Sequence, residues 1–300
     1  MLIAQLVVIT VARTDEHLGV RHRPAEFRVN SDLVVLPLSI TDRAGSAVLG
    51  LEPSDFSVAE DGLPQQVLTV SRWDAPASIG IIFDASGSMK AGVRTAQSAV
   101  RSLLCENRDG DEAFLITFAD SPRLEANFTG DAEEIANKLL WAKPKGATAL
   151  FDAIYAGITK AKGAANSRRA LVVITDGGDN HSRQSFNQLL SAARESDVQI
   201  FAIAVRRNAR DLDERRGRLQ LDQLGKETGG HLVIADNDAK LPQAMREVND
   251  LIRNQYLLSY RPEKLALDGK WHRVRVRLQP ASKGSLYRIY SKTGYYAPAQ

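Results

Sequence analysis

The chain is poor in cysteine, in long apolar runs and in net charge. Cys105 is the one cysteine among 300 residues, so no disulfide can form within the chain. Its place beside Leu103 and Leu104 in a helical apolar pattern predicts a small core residue. The apolar stretch Met1–Ala12 (MLIAQLVVITVA) is well short of the about 20 residues that a membrane-spanning helix needs, and no other segment qualifies. Lys and Arg number 39 against 36 Asp and Glu, and a net charge of +3 gives no reason to expect nucleic acid or an acidic membrane as partner. The five histidines, His17, His22, His181, His231 and His272, are scattered, and none shows metal-ligand spacing. No G-x-G-x-x-G follows a predicted strand, which argues against a dinucleotide cofactor. Ser86 and Ser88 lie in no G-x-S-x-G elbow, and Lys90 is not at the S-x-x-K offset from either.

What is present is an ordinary globular composition, 44% apolar and 25% charged, in a chain long enough for two domains. Its centre is Ser78–Met89, SIGIIFDASGSM. Ile79, Ile81, Ile82 and Phe83 predict a short strand buried on both faces. The run stops at Asp84, and Asp84-Ala85-Ser86-Gly87-Ser88 follows at once. A carboxylate and two hydroxyls at alternate positions can turn three oxygens to one point, as a hard divalent cation requires. In an open α/β sheet such a loop sits at the carboxyl ends of the strands, where ligands bind.

This D-x-S-x-S pattern after an apolar strand resembles the metal-ion-dependent adhesion site of von Willebrand factor type A domains. The family adds a Thr from a second loop and an Asp after a later strand. Thr148 stands in KGATAL before a helical pattern, and Asp176 follows the apolar run Leu171–Thr175 and opens Asp-Gly-Gly-Asp-Asn. The resemblance implies a doubly wound, mostly parallel α/β sheet. It also implies a cation held by Ser86, Ser88 and Thr148 through hydroxyls, with Asp84 and Asp176 acting directly or through water. Mg²⁺ is the expected ion, with Mn²⁺ or Ca²⁺ as substitutes, and the expected partner is a protein presenting Asp or Glu to an open coordination position. Asp179 is expected to support the loop from behind the ligands. On this reading the protein is not an enzyme.

Two alternatives stay open. Haloacid dehalogenase-like phosphohydrolases also place an Asp after the first strand of a doubly wound sheet, and Asp176–Asn180 resembles their acidic metal loop. Their first motif needs a second carboxylate two residues on, and here that position is Ser86, a hydroxyl unsuited to proton transfer near neutral pH. The other alternative is a structural scaffold with a vestigial metal site.

Along the chain, residues 1–26 read as a signal remnant or terminal strand followed by a polar linker: Thr10-Val11-Ala12 resembles a small-x-small cleavage site, but a basic leading region is absent. That reading favours an extracytoplasmic or secreted protein. Residues 27–74 are β in pattern, with a turn at Asp42–Gly45, a hairpin at Asp61-Gly62 and a return strand through Val67, Leu68 and Val70. Residues 75–254 alternate β and α, as a parallel sheet covered by helices requires. Within them Arg206–Arg218 (RRNARDLDERRGR) reads as a solvated loop before a helix from Leu219. Residues 255–300 are β again: Arg273, Arg275 and Arg277 alternate with Val274, Val276 and Leu278, and Tyr287–Tyr296 supplies the last strand. Since domain ends commonly lie close together, the two β pieces are expected to share one small sandwich into which the α/β domain is inserted. The flanks, LEPSDFSVAEDG (Leu51–Gly62) and KTGYYAP (Lys292–Pro298), resemble those of a group of A-domain proteins described from acidobacteria.

Overall fold

The computed structural model describes residues 33–206, 211–263, 267–279 and 286–299. The expected signal remnant and linker, residues 1–26, lie outside this set. Four strands come first: β1 (Val34–Asp42), β2 (Phe56–Glu60), β3 (Leu63–Gln65) and β4 (Val67–Arg72). The α/β region follows with β5 (Ala77–Asp84), α1 (Val93–Cys105), β6 (Glu112–Phe118), β7 (Pro122–Thr129), α2 (Ala132–Leu140), α3 (Leu150–Ala161), β8 (Arg168–Thr175), α4 (Phe186–Glu195), β9 (Val198–Val205), α5 (Leu212–Thr228), β10 (Leu232–Ala235) and α6 (Leu241–Arg253). The chain ends in β11 (Gln255–Tyr260), β12 (Trp271–Leu278), β13 (Tyr287–Ser291) and β14 (Gly294–Tyr296).

The central sheet has the order β10-β9-β8-β5-β6-β7, parallel except for the edge strand β7. Every residue of β5 is buried, because both faces of the sheet are covered. Ile79, Ile81 and Phe83 point into a core shared with α1, α2 and α6. Ile82 points the other way, into a core shared with α3, α4 and α5. Period-2 alternation between two apolar layers explains why the sequence of β5 reads as a continuous apolar run.

The flanking strands form two antiparallel sheets, ordered β13-β1-β11-β4 and β14-β12-β2-β3. Each sheet joins strands from both sides of the α/β region, as expected of two β pieces that share one sandwich. Between them lie Leu36, Leu38, Phe56, Val58, Tyr256, Leu258 and Val274. Glu60 is buried with them, and its carboxylate accepts the hydroxyls of Tyr260 at 2.5 Å and Tyr295 at 3.3 Å. The chain enters and leaves the α/β region side by side: Arg72 pairs with Tyr256, and the N–H of Trp73 donates to the carbonyl of Gln255 at 2.8 Å.

Four expectations are corrected. Cys105 is exposed: Leu103 and Leu104 close the buried stripe of α1, and about 100° of further rotation carries the next residue to the solvent side. The return strand of the Asp61-Gly62 hairpin is β3, while Val67–Arg72 crosses to the other sheet and pairs with β11. Pro64 sits in the edge strand β3, where its missing N–H leaves no ladder bond unmade. The helix expected from Leu219 begins at Leu212, because Asp211 caps it by accepting the N–H groups of Asp213 and Glu214, and the acidic first turn suits the helix dipole. The final strand is two, in different sheets. Lys292 and Thr293 break it by turning to the α/β region, where Lys292 Nζ donates to Ser196 O at 2.7 Å and Thr293 Oγ1 to Glu227 at 2.5 Å.

At the β2–β3 turn Asp61 and Gly62 both have positive φ, 48° and 88°, as a tight hairpin requires. His272 on the neighbouring β12 places Nδ1 2.7 Å from Asp61 Oδ2 and Nε2 3.2 Å from Asp268 Oδ1. Burial disfavours its imidazolium, but the bonds to Asp268 and Asp61 outweigh burial and raise its pKa. A raised histidine stabilises the fold fully below its unfolded value of about 6.5, and that contribution is lost as pH rises through the folded value. The melting temperature of the wild type should therefore fall between pH 6 and pH 8.5 relative to that of His272→Gln, as measured by thermal unfolding of both chains across that range.

Candidate metal centre

Three strands deliver the site to one end of the sheet. In register Asp84 lies beside Phe118 and Phe83 beside Ile174, so the loops after β5, β6 and β8 leave at the same level. The N–H of Ala85 donates to Phe118 O at 2.7 Å, fixing the first step of the Asp84 loop. A short 3₁₀ turn, Gly87–Ala91, then carries the chain into α1.

Asp84 has no exposed surface. Its Oδ1 accepts the N–H of Ser86 at 2.8 Å and its Oδ2 accepts the hydroxyl of Thr175 at 2.6 Å. Burial pushes its carboxyl up to about 6; the bonds from Ser86 and Thr175 pull it down, and the neighbouring charge of Asp176 adds to the upward push. Ser86 Oγ lies 3.0 Å from Ser88 Oγ, and Ser88 Oγ donates to Asp176 Oδ1 at 2.7 Å. Asp84, Ser86, Ser88 and Asp176 thus form one connected cluster of oxygens.

Thr148 reaches the same place through its backbone. The N–H of Lys145 donates to Ala85 O at 2.9 Å and the N–H of Gly87 to Gly146 O at 3.2 Å, which ties the Thr148 loop to the Asp84 loop. Gly146 adopts φ 81°, which favours glycine, and a Cβ there would lie 2.6 Å from the Asp120 carboxylate and displace it. Thr148 is buried, and its hydroxyl has no hydrogen bond among the described residues.

Asp179 makes no hydrogen bond to the other five. It accepts the N–H of Phe151 at 3.1 Å and the hydroxyl of Ser182, and so holds the first turn of α3 just after Thr148. Asn180 does the direct bracing: its Oδ1 accepts the N–H of Thr148 at 2.8 Å, and its own N–H donates back to Thr148 O at 3.0 Å. Asp152 accepts the N–H groups of Arg183 and Gln184, and Asp120 that of Ala147. Thr175, Asn180, Asp152 and Asp120 were not singled out from sequence. Thr175 reads there as one more β-branched strand residue, Asp152 as an acidic residue in the first turn of a helix, and Asn180 and Asp120 as ordinary turn residues. His181 is exposed, with its N–H donating to Thr148 O at 3.2 Å.

A second group of donor atoms, from Glu60, Asp61 and His272, lies within 4.8 Å of one another in the flanking sandwich. Its atoms are engaged by Tyr260, Tyr295 and Asp268, which gives the cluster a structural role in the sandwich.

The von Willebrand factor type A domain profile matches residues 78–247, a span that begins in β5 and ends in α6 and contains the whole oxygen cluster. The chain belongs to the von Willebrand factor type A family. Proximal thread matrix protein 1 from the mussel byssus, solved with a zinc-occupied MIDAS motif, superposes on this A-domain chain with a TM-score of 0.54 at 20% identity, covering 65% of this chain and 50% of that one. An aerotolerance-related membrane protein from Bacteroides fragilis is similar at 23% identity and TM-score 0.47, over 59% of this chain and 98% of its own. The vWF domain of the type V pili tip protein Mfa5 from Porphyromonas gingivalis gives 12% identity and TM-score 0.49, over 60% of this chain and 96% of its own. No curated protein matches the chain in sequence. Among the described residues no helix of this A-domain protein is long and apolar enough to cross a membrane.

The Thr175 bond to Asp84 is open to test. Thr175→Val keeps the shape and removes the donor, leaving a buried carboxylate oxygen unmatched. Stability at pH 8 should drop by about 1.5–3 kcal/mol, the range for hydrogen bonds to charged groups, as measured by urea unfolding.

Proposed function

We propose that the protein is a metal-dependent protein-binding module, with a divalent cation at Asp84, Ser86, Ser88, Thr148 and Asp176 coordinating an acidic residue of a partner. The observation that carries this reading is the wholly buried Asp84 carboxylate placed beside Asp176, with a pKa raised by burial and by that like charge. A cation reverses both penalties, and a donor set made only of carboxylate and hydroxyl oxygens suits Mg²⁺, Mn²⁺ or Ca²⁺. Where the carboxylates act through water, three neutral hydroxyls in contact with the ion leave its charge incompletely neutralised, and the family resemblance supplies the consequence: an open position that takes a carboxylate from outside. Asn180 and Asp179 hold the Thr148 loop and the start of α3 in place for this. Asp84 and Ser86 do not make an acid–base pair, so a phosphohydrolase has no proton donor at the required position. We read the protein as a binding module rather than an enzyme, acting outside the cytoplasm.

Thermal unfolding in EDTA, Mg²⁺, Mn²⁺ and Ca²⁺ tests the site. A cation that binds only the folded chain at about a hundred times its dissociation constant adds about 2.7 kcal/mol. The wild type should gain stability in at least one cation and Asp84→Ala in none. A wild type indifferent to all three would remove the metal from the proposal and leave the fold as it stands.

The same proposal treats residues 75–254 as an autonomous domain inserted into the sandwich. The adjacent entry and exit at Trp73 and Gln255 support it. Residues 75–254 expressed alone should fold and keep the cation response of the full chain; an insoluble fragment would count against insertion.

A further inference from the structure

Among the described residues, the least covered large apolar side chain stands at the same end of the sheet as the candidate metal centre. Trp141 is 79% exposed, and Leu140 next to it 64%. They end α2, whose Ile135, Ala136 and Leu139 pack into the core, so they stand off the packed face of their own helix. Topology puts them at the metal end of the sheet. β7 runs antiparallel to β6 and finishes opposite Ala113, at the far end from Asp84. α2 climbs back, and four residues after Trp141 the N–H of Lys145 bonds to Ala85 in the Asp84 loop. Four residues span at most about 14 Å, so Trp141 stands within that distance of the loop.

The segment between is held rather than loose. Ala142 packs against the core, Lys145 and Gly146 are bonded to the Asp84 loop, and Ala147 donates to Asp120 at 2.7 Å. Lys143 and Lys145 in this segment, and Lys90 in the 3₁₀ turn after Ser88, are exposed, and none of their ammonium groups forms an ion pair among the described residues. An exposed apolar pair thus adjoins a segment and a turn that carry three exposed lysines, with Asp120 the one carboxylate bonded to that segment among the described residues, next to the proposed cation site. Tryptophan is among the side chains enriched at the energetic centres of protein interfaces.

We infer that Leu140 and Trp141 form an apolar subsite of the partner-binding face, for a protein segment that presents a carboxylate to the cation and an apolar side chain two to four residues away. The inference rests on the metal-dependent reading above. The spacing follows from the distance: two to four residues of extended chain cover about 7–14 Å. The lysines add charge complementarity, since an acidic segment is steered to a positive rim. The subsite makes selection depend on the partner's sequence, where the cation alone would accept any accessible Asp or Glu.

The test uses the full chain and a displayed library of random peptides with one fixed central Asp, selected in Mg²⁺. Selected peptides are synthesised, and their affinity is measured for the wild type, Trp141→Ala, Lys143→Glu and Asp84→Ala, alongside the Mg²⁺-induced shift in melting temperature of each protein. Selected peptides should carry Leu, Phe or Trp two to four positions from the Asp. Trp141→Ala should weaken them tenfold or more with its Mg²⁺ shift unchanged, and Lys143→Glu should weaken them and reduce their salt dependence. Mg²⁺-dependent peptides that bind Trp141→Ala as well as they bind the wild type would overturn the subsite, as would an intact Mg²⁺ shift with no Mg²⁺-dependent peptide selected. A wild type without any Mg²⁺ shift would instead be the failure of the metal reading itself.

Discussion

A carboxylate with no exposed surface has to be answered on every side, and Asp84 sets that demand at the end of the central strand. The charged form is disfavoured by burial alone, so each of its oxygens takes a donor, one from the Ser86 backbone and one from the Thr175 hydroxyl. One donor comes from the loop after β5 and the other from the last residue of β8, and they meet only if the two strands lie parallel and in register. The pairing of the sheet, the buried apolar layers that hold it and the turn from Ser86 into α1 all converge on this one group.

Around it the bracing is carried by peptide groups more than by side-chain pairs. Lys145 and Gly146 meet Ala85 and Gly87 through backbone bonds, and Asn180 closes on Thr148 through both its side chain and its own N–H. Backbone bonds of this kind fix a loop whatever side chains it carries, which leaves the exposed residues of the rim, Lys143 among them, free to differ in chemistry without disturbing the hydroxyls and carboxylates beneath.

Much of this was legible in the sequence because it is written in local pattern. The apolar runs at Ile79–Phe83 and Leu171–Ile174, each ending in Asp or Thr-Asp, announce buried strands with a polar terminus, and the D-x-S-x-S spacing places its hydroxyls on one loop. What was not legible depends on partners far away in the chain. Thr175 differs from any strand threonine only in facing Asp84, and Asn180 from any turn asparagine only in facing Thr148. The crossing of β4 to the sheet of β11, and the division of the last strand into β13 and β14, are decisions made by neighbours some 190 residues and 100 residues distant. The helix start at Leu212 was hidden for the opposite reason. Its capping Asp211 and acidic first turn are local, but a dense run of charges masks the cap as a loop.

The flanking sandwich has a consequence for the order in which the molecule is made. Strands β1, β2 and β4 are synthesised long before β11, β12 and β13, with which they pair, so neither sheet can close while the chain is still emerging. Joining such distant strands across an unstructured loop carries an entropic cost that grows with loop length and slows folding. A central unit that folds first and brings Trp73 beside Gln255 turns that long loop into a short one. On this scheme the α/β region acts as a template for the sandwich, and the first four strands must be kept from pairing wrongly until it is complete.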